Sequence, residues 1–95
     1  MIGRKVIIRG DRSGVFFGIL AEKNRQEVKL TSCRRLWFWS GAASLSQLSV
    51  DGVANPEECK FTVVVDEIVI LDAIEIIPCT EKAIKSIEST REWKI

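Results

Sequence analysis

The sequence predicts an α+β fold: a small, strongly bent antiparallel β-sheet closed into a barrel, one short helix and a C-terminal amphipathic helix. The chain has 95 residues, which gives room for one domain. Six or seven short apolar or β-branched runs, separated by turn residues, occupy most of it. Helical spacing of apolar residues appears near its end. We therefore expect one domain over residues 1–95, with the barrel at about 4–77 and the final helix at about 81–92.

The first predicted hairpin lies in residues 5–21. Residues 5–9 form a β-branched run, residues 10–14 are rich in Gly, Asp and Ser, and residues 15–21 form a second apolar run. This pattern is typical of two strands joined by a turn. Gly18 interrupts the second run, which indicates a β-bulge or a sharp bend at a corner of the sheet.

Two further strands and a short helix are predicted in the middle of the chain. Apolar and charged side chains alternate in residues 27–31, which indicates a half-exposed strand. Residues 34–39 predict a separate strand. Ser44 and Gln47 have the spacing of a capping box, so we place a short helix at about residues 45–50.

The second half of the chain predicts a loop, more strands and the final helix. Residues 53–60 contain Asn-Pro and predict a surface loop. Further strands are predicted at residues 61–65, 68–71 and 74–77. Thr80 is a suitable N-cap, and Ala83, Ile84 and Ile87 share one face of the predicted helix. We expect this helix to lie over one open side of the sheet.

The composition argues against catalysis and against a metal site. Histidine is absent, which removes the usual general base and the common zinc ligand. Cys33, Cys59 and Cys79 lie far apart in the sequence and form no metal-binding pair, so we expect reduced, buried thiols. No signal peptide or membrane span is evident. We therefore predict a cytoplasmic protein with no catalytic residue, no metal, no cofactor and no membrane partner.

The charges are divided unevenly along the chain. Residues 1–40 carry nine basic and three acidic residues, whereas residues 41–95 carry five basic and ten acidic residues. The net charges of the two parts are therefore +6 and −5. This division is compatible with an anion-binding face, with complementary faces that meet in a homo-oligomer, or with two solvated faces.

The segment at residues 34–39 is apolar on both of its predicted faces. With the two-residue period of a strand, Arg35, Trp37 and Trp39 point to one side and Leu36 and Phe38 to the other. Either the strand is buried on both sides, in the core or between subunits, or its Arg-Trp-Trp side is a ligand surface. Indole rings stack on nucleobases, and guanidinium groups pair with phosphate.

Candidate site residues follow from the ligand-surface alternative. They are Arg34 and Arg35 for phosphate, Trp37 and Trp39 for stacking, and Arg9 and Arg12 as secondary contacts. The turn at residues 10–14 also has the composition of an amide-lined anion nest, although a plain turn is the simpler interpretation. We interpret Trp93 as a lid on the core or an oligomer contact rather than as a binding residue.

Parts of the sequence resemble two known groups of proteins. Residues 15–31, with the central Gly18, and the short strands at 61–71 resemble SH3-like and Sm-like small barrels. The segments at residues 18–22, 34–42, 45–47 and 73–80 are similar to a family of small uncharacterised phage and prophage proteins. The second resemblance implies a phage accessory protein, located in the cytoplasm of a bacterial host cell, rather than a housekeeping enzyme. Some small accessory proteins of phages are homo-oligomers that sequester nucleotide messengers of bacterial immune systems.

Together these observations predict a homo-oligomeric, non-catalytic protein that binds a small anionic, nucleotide-like ligand, with an anti-defence role implied by the resemblance. One alternative is a structural or protein-interaction homo-oligomer that binds no small ligand. Another alternative is the binding of single-stranded nucleic acid through the same strand, for which we expect steep salt dependence.

Overall fold

The computed structural model describes all residues 1–95 and contains six β-strands and two α-helices. The strands are β1 (Lys5–Gly10), β2 (Val15–Asn24), β3 (Glu27–Phe38), β4 (Lys60–Phe61), β5 (Val65–Ile70) and β6 (Ala73–Pro78). The helices are α1 (Leu45–Asp51) and α2 (Glu81–Ser89), and a 3-10 turn lies at Pro56–Glu58. The α+β prediction is confirmed, and neither helix is long and apolar enough to cross a membrane.

All strand pairs in the sheet are antiparallel, in the order β6-β1-β2-β3. The long strand β3 then pairs with β5 along its first half and with β4 near its end. Because β1 and β3 point the same way, β5 and β6 also run in one direction. The two residues Leu71 and Asp72 connect β5, which pairs with β3, to β6, which pairs with β1.

The sheet is not closed into a barrel, so the predicted barrel is wrong. β5 pairs with β3 and β6 pairs with β1, but β5 and β6 do not pair with each other. β5 and β6 follow each other in the chain and run in the same direction. Two such strands cannot form the tight antiparallel hairpin that would close the sheet.

Each face of the sheet buries its own core, as the alternation of a strand requires. On β1, Ile8 belongs to one core and Ile7 to the other; on β2, Phe16 and Phe17 divide in the same way. The second core is covered by both helices, which contribute the buried Leu48, Ala83 and Ile87. The prediction that the terminal helix lies over one side of the sheet is confirmed.

The strands predicted at 27–31 and 34–39 form one strand instead of two. Ser32 adopts a left-handed conformation (φ 43°), and the pairing between β2 and β3 shifts register between Phe17 and Ile19. Gly18 therefore lies at a bulge, as its position in the sequence predicted. A Cβ atom on Gly18 would lie only 2.5 Å from the Cβ atom of Cys33, so the close approach of β2 and β3 requires glycine.

The valine-rich segment 61–65 differs most from its prediction. Only Lys60–Phe61 is a strand there, and the following strand begins at Val65 and includes the acidic pair at 66–67. Val64 is exposed, and its amide donates to the carboxylate of Glu92 at 3.0 Å instead of to a neighbouring strand. The charged pair is tolerated inside β5 because both side chains are exposed.

Both helices begin at the caps that the sequence predicted. The Ser44 hydroxyl accepts a hydrogen bond from the Gln47 amide, and the Thr80 hydroxyl accepts one from the Ala83 amide. α2 ends at Ser89, three residues before the predicted end. The chain then extends so that Glu92 forms a parallel bridge with Phe61.

Candidate functional site

A cavity of about 740 Å³ opens where the β1–β2 turn, the end of β3 and the segment after α2 meet. We call it the tryptophan cleft. Its lining residues are Arg12, Ser13, Gly14, Val15, Arg35, Leu36, Trp37, Trp39, Thr62 and Trp93. The volume is within the range of sites for small molecules.

All three tryptophans of the chain line the tryptophan cleft. The side chain of Trp37 is 64% exposed and that of Trp93 is 47% exposed, so both offer indole surface to a ligand. Trp39 is partly buried and packs against the core below the helices. The structure therefore brings the predicted pair Trp37 and Trp39 into one cavity and adds a third indole.

Trp93 is the one tryptophan of the cleft that sequence analysis did not assign to binding. Its amide donates to the Phe61 carbonyl at 2.7 Å, and the Lys60 ammonium lies 5.4 Å from its ring centroid. These contacts fix the segment after α2 against β4. The signal in the sequence was a lone large aromatic beyond the helix, and only the tertiary structure shows which surface it faces.

Arg35 and Arg12 give the tryptophan cleft two guanidinium groups. The guanidinium carbon of Arg35 lies 4.7 Å from the centroid of the Phe16 ring, which positions it by a cation–π contact. Neither Arg12 nor Arg35 belongs to any of the ion pairs of the chain. No Asp or Glu lines the cavity. An anion would therefore meet two free guanidinium groups there.

Arg34, which the sequence analysis assigned to phosphate, is a buried structural residue and is not in the tryptophan cleft. It is only 3% exposed, and burial lowers the pKa of its guanidinium. All five of its N–H donors face main-chain carbonyl oxygens. The acceptors belong to Phe61, Thr62, Ile87, Thr90 and Arg91, at 2.9–3.5 Å. No donor remains for a ligand.

Arg9, the other secondary candidate, also lies outside the cleft. Its Nε donates to the Glu75 carboxylate on the neighbouring strand β6 at 3.0 Å. Of the four arginines that the sequence proposed, the structure therefore places Arg12 and Arg35 in the tryptophan cleft and Arg9 and Arg34 elsewhere.

The amides of the turn at residues 10–14 already have an anionic partner within the chain. The Asp72 carboxylate accepts from the Arg12 amide at 2.7 Å, from the Ser13 amide at 3.0 Å and from the Ser13 hydroxyl at 2.6 Å. The Ser13 hydroxyl and these amides hold the pKa of Asp72 below its ordinary value. The turn thus does form an anion nest, but one that orders the Arg12 loop instead of binding an external ion.

The polar side chains of the tryptophan cleft, apart from its indoles, are two guanidinium groups and two hydroxyl groups. Its only hydroxyl groups belong to Thr62 and to Ser13, and the Ser13 hydroxyl donates to Asp72. No cysteine or carboxylate lines it. No three Cys, Asp or Glu side chains in the chain are grouped so that they could hold a metal ion.

Comparison with known proteins gives a family and no activity. Residues 3–87 match the model of a family described as "Domain of unknown function (DUF6948)". The match includes every residue of the tryptophan cleft except Trp93. No curated protein and no solved structure matches the chain.

Proposed function

We propose that this protein, which belongs to the DUF6948 family, binds a small anionic, nucleotide-like ligand in the tryptophan cleft without transforming it. One observation carries the proposal: three indoles and two unpaired guanidinium groups line one cavity that contains no carboxylate. A nucleotide combines the two chemical features that such a wall recognises, a planar ring and a phosphate.

Each group has a distinct task in this proposal. The exposed indoles of Trp37 and Trp93 supply stacking surface, which contributes about 1–3 kcal/mol per base in other proteins. Arg35 and Arg12 pair with the phosphate through charge-assisted hydrogen bonds. Trp39, held against the core, forms the floor of the cavity. The ordered turn around Asp72 keeps the Arg12 backbone in place before the ligand arrives.

Sequestration is the biological use that we propose for such binding. A protein that holds a nucleotide without cleaving it lowers the concentration of the free nucleotide in proportion to its own abundance. A phage or prophage accessory protein that removes an immune signalling nucleotide works in this way. The resemblance described above and the absence of an evident nucleophile or general base in the cavity support this use.

Calorimetric titration of the protein with AMP, GMP, CMP and UMP tests the proposal. Ribose 5-phosphate and adenosine are the matched controls, because each carries only one of the two recognised features. We expect at least one nucleotide to bind with a stoichiometry of about one per chain and about tenfold or more tighter than either control. Equal, weak heats from all six compounds would contradict the proposal.

Variants assign the binding to the tryptophan cleft. We expect Arg35→Ala and Trp37→Ala each to weaken nucleotide affinity about tenfold, since one removes a charge-assisted contact and the other a stacking surface. Arg9→Ala is the control for charge, because Arg9 lies outside the cleft and pairs with Glu75. Its affinity should equal that of the wild type.

Calorimetric titration with oligonucleotides of increasing length tests the alternative of single-stranded nucleic-acid binding. If the cleft is part of a longer nucleic-acid groove, affinity rises with oligonucleotide length from two to ten nucleotides and falls steeply with salt. An affinity that does not rise beyond two nucleotides favours the small-ligand site.

Homo-oligomerisation is a second proposal, supported by the exposed end of β3. Phe38 is 50% exposed beside the exposed Trp37, which leaves apolar surface on both sides of the strand. We propose that a second copy of the chain covers Phe38. Light scattering coupled to size exclusion should give a multiple of 10.7 kDa for the wild type and a smaller mass for Phe38→Ser. A monomeric wild type at all concentrations would contradict it.

A further inference from the structure

A second cavity shares part of its wall with the tryptophan cleft. Its volume is about 380 Å³, and Arg12, Ser13 and Arg35 line both cavities. The remaining wall is largely apolar and comes from the end of β5, the following Leu71 and the edge of Phe16. A wall that carries two positive charges therefore separates two largely apolar cavities.

The two arginines are held at this boundary by contacts that leave their charges free. Arg35 stacks on Phe16, whose ring belongs to the wall of the second cavity. The backbone amide of Arg12 donates to Asp72, but its guanidinium has no partner in the chain. A phosphate between these two guanidinium groups would have apolar space on either side of it.

The second cavity suits an uncharged group instead of a second phosphate. The Asp72 carboxylate lies in its wall, and its negative charge disfavours another anion there. Leu71 lines this cavity and is 70% exposed, so it is not part of either core. A flat, neutral ring on Leu71 would cover this exposed side chain.

We propose that the two cavities are halves of one site for a dinucleotide: two nucleosides joined through a phosphate. One ring occupies the tryptophan cleft, the phosphodiester lies between Arg12 and Arg35, and the second ring covers Leu71. This inference rests on the proposed function and extends it, because a mononucleotide fills only the first cavity.

Titration with charge-matched pairs of ligands tests the inference. The probes are the dinucleotides ApA, CpC, GpG and UpU, each compared with the methyl ester of its own 5′-mononucleotide. Both members of a pair carry one negative charge, so they differ in the second nucleoside. For at least one pair we expect the dinucleotide to bind about tenfold or more tighter, as one additional stacked base implies.

Two variants locate the second ring. Leu71→Asn removes the apolar surface without adding charge, and we expect it to abolish the advantage of the dinucleotide while the methyl ester binds as before. Ile2→Asn is the matched control, because Ile2 is also exposed (61%) and lines neither cavity. It should leave both affinities unchanged.

The outcomes separate the inference from the proposed function. Equal affinities of dinucleotide and methyl ester, with no effect of Leu71→Asn, overturn the two-cavity site but leave a one-ring nucleotide site. A dinucleotide advantage that survives Leu71→Asn overturns the placement of the second ring. If neither member of any pair binds to the folded protein, both proposals fail together.

Discussion

Arg34 and Arg35 are neighbours in the sequence but have opposite environments. Arg34 is buried and gives all its donors to carbonyl oxygens near the end of α2 and along β4, whereas Arg35 is exposed and faces the tryptophan cleft. Alternation along a strand predicts that two adjacent side chains point apart, but it cannot tell which one meets a ligand. The irregular backbone at Ser32 determines which side chains of the following part of β3 point to each face of the sheet.

Removal of the Arg34 side chain beyond its methylene groups should destabilise the fold. We predict that Arg34→Met lowers the free energy of unfolding by about 3 kcal/mol, because it removes five hydrogen bonds and leaves the carbonyl of the buried Thr90 without its donor. Urea denaturation measures the change. Arg35→Met is the paired control and should cost less than about 1 kcal/mol, as expected of an exposed side chain. Equal losses for the two variants would show that Arg34 does not organise the core.

Because of Asp72, the stability of the fold should depend on pH in the acidic range. Its pKa in the folded chain is below the ordinary value because the Ser13 hydroxyl and the neighbouring amides donate to it. The contribution of Asp72 is therefore complete above the unfolded pKa and is lost as pH falls through the lower folded pKa. As pH is lowered below about 4, we predict that the urea concentration at the midpoint of unfolding falls more steeply for the wild type than for Asp72→Asn. Parallel curves for the two proteins contradict this role.

At the scale of elements, the sequence predicted correctly those features that depend on interactions between residues close together in the chain. Both helix caps and the glycine bulge were predicted, because a cap or a close backbone approach depends on a few adjacent residues. The segment 61–67 was not, since Val64 is satisfied by Glu92 from the distant end of the chain. The same long-range pairing brings Trp93 to the tryptophan cleft.

The segment after α2 should serve binding more than folding. We predict that Trp93→Ala weakens nucleotide affinity about fivefold to tenfold by removing one stacking surface. It should lower the free energy of unfolding by no more than about 1.5 kcal/mol, because the side chain is half exposed. Calorimetric titration and urea denaturation measure the two effects. A large loss of stability with unchanged affinity would return Trp93 to the role of a lid on the core.

At the scale of the whole molecule, the uneven charge of the sequence is partly neutralised within one chain. Three ion pairs join the basic first 40 residues to the acidic remainder: Lys5–Glu88, Arg9–Glu75 and Lys29–Glu67. Composition alone could not show these pairings, because the partners are far apart in the sequence: two pairs join antiparallel strands, and the third joins β1 to α2. Arg12 and Arg35 at the cleft are among the basic residues of this half that form no ion pair within the chain.

Salt should therefore affect binding more than stability. An increase in NaCl from about 50 to about 500 mM should weaken nucleotide affinity severalfold by screening the cleft. It should change the urea midpoint little, since exposed ion pairs contribute at most about 1 kcal/mol each. Arg35→Ala should bind more weakly and with a shallower salt dependence. Affinity that is independent of salt in the wild type would remove the arginines from the binding mechanism.

The indole N–H signals in a ¹⁵N-correlated NMR spectrum test the binding proposal most directly. The chain has three tryptophans, and all of them line the tryptophan cleft, so every indole signal reports on this cavity. On titration with the best-binding nucleotide, we predict that the signals of Trp37 and Trp93 shift and saturate with one common affinity. If all three signals stay in place while the nucleotide reaches millimolar concentration, the cleft is not a nucleotide site.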